Sequence, residues 1–68
     1  MTKVEQIADF LMNGIDNLSV DEAANELINE HGLMVHNAIN LVESFMQKFN
    51  ANPCLPNDEL FPLIERFL

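Results

Sequence analysis

Leu18-Ser19-Val20-Asp21-Glu22-Ala23-Ala24-Asn25-Glu26-Leu27-Ile28-Asn29-Glu30-His31-Gly32-Leu33 carries both ends of one helix. Ser19 stands where a hydroxyl caps the amide of the third helical residue, and Glu22 stands where a carboxylate returns the bond. Val20, Ala23, Ala24, Leu27 and Ile28 then recur at helical spacing and make one apolar face. Gly32 offers the left-handed backbone that ends a helix, and Leu33 can fold back toward Ile28. A helix bounded so clearly, with one apolar face, must bury that face against other helices.

Upstream, Thr2 and Glu5 repeat the capping pattern, and Val4, Ile7, Ala8 and Leu11 predict a helix from about Lys3 to Met12. Gly14 is expected as a left-handed residue closing it, with Ile15 turned toward Phe10. Downstream, Val35, Ala38, Ile39, Val42, Phe45, Met46 and Phe49 predict a third helix from about Met34 to Phe49. Met34 and Leu41 widen its stripe to the breadth of a central helix packed on more than one side. No Ser, Thr or Asp marks its start. Asn50 to Pro56 reads as a loop, and Asn57 can cap a final helix with Asp58 and Glu59 in its first turn. Pro62 leaves two options there: one helix from Asp58, short of a bond at the Asp58 carbonyl, or a turn followed by a helix from Phe61 to Leu68. The expected fold is all-α, a compact bundle of three helices plus a short C-terminal fourth helix, with residues 1–68 as a single acidic domain.

At 68 residues a domain buries only about 60% of the surface its unfolded chain exposes. Cys54 is the one cysteine, so no internal disulfide staples the fold. Helix packing or self-association has to stabilise it. Met1 to Glu5 has no apolar run of the kind a secretory signal uses, and no stretch is long and apolar enough to span a membrane. A free cysteine without a signal points to the cytoplasm.

Eleven acidic and three basic residues give a net charge of −8, and no Lys or Arg lies between Val4 and Gln47. Such a chain repels phosphate backbones and anionic membranes. It has no Tyr or Trp on which bases would stack. The capped second helix, the turn at Gly32 and the following helix resemble the tri-helical core of helix-turn-helix regulators, over about Val4 to Phe49. That resemblance implies a recognition helix at Met34–Phe49, whose single cation is Lys48. Its charge therefore favours action through protein contacts over nucleic acid.

Chemistry-bearing constellations are sparse. His31 and His36 are five apart with Gly32 between, and Cys54 is remote, so no metal site is expected. Ser44 and Cys54 sit in no nucleophile signature. Two glycines cannot build a phosphate loop. Leu18 breaks the calcium-loop spacing that Asp16 would begin. The Asp-Ser-Leu attachment triplet of acyl carriers is missing. No enzymatic activity and no cofactor are expected.

Two features are left. Glu22, Glu26 and Glu30 lie four apart on one helix face, with Asp21 and Glu43 placed to extend the patch. Such a face suits Lys and Arg on a partner, or simply solvent. The apolar residues Met34, Leu41, Phe45, Phe49, Phe61, Ile64, Phe67 and Leu68 are more than one small core needs, and are expected to form a homodimer or partner interface. The leading expectation is a small acidic inhibitor or adaptor that binds a protein with a basic surface. A helix-turn-helix-like regulator working through protein contacts is the alternative, and an enzyme accessory subunit the third.

Overall fold

Ser19 and Glu22 meet as their spacing predicts. In the computed structural model, which describes residues 2–15 and 17–68, the Glu22 amide donates to Ser19 Oγ at 3.2 Å and the Ser19 amide to Glu22 Oε1 at 3.0 Å. Helix α2 then runs Val20–His31. Gly32 closes it at φ 71°, donating to the Ile28 carbonyl, and the Leu33 amide reaches back to the Leu27 carbonyl at 3.3 Å. Thr2 and Glu5 form the same reciprocal pair ahead of α1, Lys3–Asn13. Met1 and Asp16, used above in reading the N-terminus and the calcium spacing, lie outside the described residues.

Three expectations need correction. Gly14 is not left-handed: its φ is −113°, and its amide donates to the Phe10 carbonyl at 2.7 Å. Its value is room, since a Cβ there would sit 3.0 Å from the Phe10 ring and 3.1 Å from the Phe10 carbonyl oxygen. Helix α3 spans Val35–Ala51, so the loop after it is shorter than Asn50–Pro56. Asn57 does not cap α4; it is the first residue of a single helix, Asn57–Glu65, with Pro56 at the cap position and Pro62 inside.

Among the described residues every regular element is an α-helix, four in all. Helix α3 is the central one. It packs along α2 and also against α4, while α4 lies chiefly on α1. The arrangement measures 27 × 24 × 18 Å. Ile7, Leu11, Leu27, Leu41, Val42, Phe45, Leu60 and Ile64 are fully buried, and no polar or charged residue is buried among those described. Each such side chain contributes about 1.5–3 kcal/mol by leaving water. The Phe45 and Phe49 rings stack with centroids 5.4 Å apart.

The two capping boxes make stability sensitive to acid. The Thr2 amide holds the Glu5 carboxyl below its ordinary range, helped by the Thr2 hydroxyl; Ser19 does the same to Glu22. A lowered folded-state value means the contribution is present above the unfolded glutamate range and is lost as pH falls through the folded one. Thermal melts from about pH 6 down to about pH 3 should therefore show a larger loss for the parent than for Glu5→Gln/Glu22→Gln. Equal losses would mean that the boxes do not depend on charge.

Candidate protein-binding surface

Met34 is the first residue to consider, because its carbonyl accepts from the Ala38 amide at 2.8 Å while its side chain has no polar atom with which to cap the helix. It is the N-cap of α3, makes no side-chain cap hydrogen bond, and stands 72% exposed. Val35 follows at 56% and Leu68 at 50%; these are the exposed large apolar residues among those described. Met34 and Leu68 line one notch of about 220 Å³ together with Phe67, Leu33, Gly32 and Lys3. The Lys3 ammonium lies 3.8 Å from where a Gly32 Cβ would be, near the negative end of α2.

Phe67 also faces a second, open notch of about 530 Å³ along α3, lined by Asn40, Glu43, Ser44 and Gln47. One side chain thus borders both depressions. It links three other residues expected at an interface: Met34 and Leu68 from the apolar set, and Glu43 from the acidic set. Leu41, Phe45 and Ile64 are not part of any such surface. They are buried inside the single chain, because α2 and α4 cover α3 from two directions. Phe49 and Phe61 are half-buried. Phe61 borders a separate depression of about 230 Å³ between α1 and α4, beside Met12 and Asp9.

The acidic row divides as well. Glu22 is engaged by its cap, so its carboxylate is already bonded. Asp21, Glu26 and Glu30 are exposed on α2. Glu30 stands two residues before Gly32, which places the end of the row next to the first notch in the chain.

Other reactive residues are dispersed. His31 lies half-buried with its ring 6.2 Å from that of Phe10, and His36 is exposed. Cys54 is exposed in the loop after α3, where its amide donates to Asn52 Oδ1. No three His, Cys, Asp or Glu side chains converge as a metal set among the described residues, and no helix is long and apolar enough to cross a membrane. Lys48 and Arg66 share an open groove with Ser44 and Gln47 and sit at the ends of α3 and α4, where cations complement the helix dipoles.

Sequence reasoning missed Val35 and Lys3. Val35 fits the apolar periodicity of α3 but falls at its first residue, beyond the reach of α2. Lys3 belongs to the surface only because α1 begins where α2 ends in space, a long-range fact without a local signal. Comparison with family models, curated proteins and solved structures finds no match.

Proposed function

We propose that this chain is a small non-catalytic binding module, an inhibitor or adaptor, that receives a cationic amphipathic helix of a larger protein. The observation that supports it is the convergence on Phe67 of an exposed apolar cluster, Met34 with Leu68, and the carboxylate of Glu43. Exposed apolar patches rimmed by polar groups are characteristic of interaction sites. The larger depression follows α3 from Asn40 to Gln47 and the smaller lies at its N-terminal end, which suits a helix laid along it. A net charge of −8 speeds encounter with a basic partner and opposes a second copy or a nucleic acid at the same place. Burial of Leu41, Phe45 and Ile64 takes three of the eight apolar residues out of the surface that motivated a homodimer. The free thiol of Cys54 fits a reducing compartment such as the cytoplasm.

The test is an NMR titration with a short synthetic peptide of Leu and Lys patterned as an amphipathic helix. Shifts should concentrate at Met34, Val35, Glu43 and Leu68. Met34→Asp is the informative variant, because Asp supplies the cap that α3 lacks while placing a charge in the apolar cluster. Its fold should be retained or strengthened, and its affinity should fall about tenfold or more, the equivalent of one buried side chain. Duplex DNA in place of the peptide should cause no shift. Shifts spread evenly over the acidic surface, with Met34→Asp binding like the parent, would sink the reading.

A further inference from the structure

Asn13 is the one asparagine that a glycine follows. Packing fixes that glycine, since a Cβ at Gly14 would stand 3.0 Å from the Phe10 ring. Asparagine is a chemically labile residue, and a following glycine has no side chain to hinder attack by its backbone nitrogen on the carboxamide. In the folded chain two bonds oppose that attack. The Gly14 amide proton, which must leave first, is held by the Phe10 carbonyl at 2.7 Å. The Asn13 carboxamide donates to Asp9 Oδ1 at 2.8 Å. Both bonds belong to the closing turn of α1, and helix ends are where a fold opens most readily. Asn13 and Gly14 are exposed, so water and hydroxide reach them.

We infer that Asn13–Gly14 is a site of spontaneous deamidation, held shut while the last turn of α1 is formed and reactive when that turn opens. Hydroxide takes the Gly14 amide proton, and the nitrogen forms a bond to Asn13 Cγ. The bond from Cγ to Nδ2 breaks, and Nδ2 leaves as ammonia with a proton from water. Water then opens the cyclic imide at either carbonyl, giving Asp or an isoaspartyl link through Cγ. Either product sets a carboxylate where Asn13 now donates to Asp9, a like charge one turn away and at the negative end of α1. No basic residue stands in that turn to offset it. Asn13 also lines the depression between α1 and α4 with Glu5 and Asp9, so that rim gains a third carboxylate. One irreversible step therefore loosens the end of α1 and makes this face more acidic, independently of the function proposed above.

Peptide mass spectrometry of the protein held in mildly alkaline buffer follows the reaction. Asn13 should convert ahead of every other asparagine. If the closing turn is open one time in ten, conversion in buffer is about tenfold slower than in denaturing urea. Asp9→Ala frees the carboxamide, and should speed conversion in buffer while leaving the rate in urea unchanged. Another asparagine converting first would overturn the site. Equal parent rates in buffer and urea, or an Asp9→Ala rate in buffer equal to the parent's, would overturn its control by the fold. Asn13→Asp stands in for the product and should melt below the parent, and the loss should shrink when Asp9→Ala removes the neighbouring charge. A melting temperature equal to the parent's would overturn the loosening of α1.

Discussion

Phe45→Ala should cost about 3–5 kcal/mol of stability, the usual range for removing a buried aromatic ring. Phe45 is 1% exposed near the middle of the central helix, with the Phe49 ring stacked on it. Small domains hold at most about 5–15 kcal/mol in total, and one of this length sits toward the lower end. The variant should be largely unfolded at room temperature or melt far below the parent. Urea denaturation followed by circular dichroism would measure the difference. Because Phe45 is buried within one chain, the loss should not change with protein concentration. A loss that shrinks as concentration rises would mean that a second copy, and not α2 and α4, covers this ring.

Pro62→Ala should act in the opposite direction, raising stability by about 1–3 kcal/mol. Pro62 lies inside α4, where it has no amide to give the Asp58 carbonyl and its ring crowds that carbonyl. It is exposed, so trimming it to Ala forfeits little packing. The upper figure is the helix-propensity difference; the lower allows for the freedom the unfolded chain regains when proline is removed. In a domain this small each kcal/mol is roughly 4–8 °C in melting temperature. A melting temperature equal to the parent's would show that a bend in α4 already relieves the strain at Asp58.

What the sequence reveals here is local and what it hides is long-range. Ser19 with Glu22, Thr2 with Glu5, and Gly32 with Leu33 mark helix ends through bonds between neighbours, so α1 and α2 were legible. Gly14 misleads because glycine also serves where a ring comes close, and sequence cannot separate that need from a left-handed backbone. The entry to α4 was blurred because Pro56 and Asn57 both suit a helix start. For the candidate surface, periodicity told which residues of α3 are apolar but not which of them α2 and α4 would cover. Leu41 and Phe45 are covered; Met34 and Val35, at the open end, are not. Glu22 looked available on its helix face, yet the cap that makes the helix legible occupies its carboxylate. The meeting of Glu43 with Phe67 depends on how α4 returns across α3, which no local pattern encodes.

Lys3 and Leu68 border the same notch, and α1 lies on α4. The two ends of the described fold therefore stand side by side. Anything spliced to either end, an affinity tag or a longer polypeptide, emerges next to Met34 and Phe67 and competes for that space. A linker joining the ends would turn the chain into a ring with the same helices. New termini could then be opened in the loop around Cys54, which is exposed and lies outside all four helices. Such a permuted protein would carry its tags at that loop and leave the surface around Phe67 bordered only by the linker.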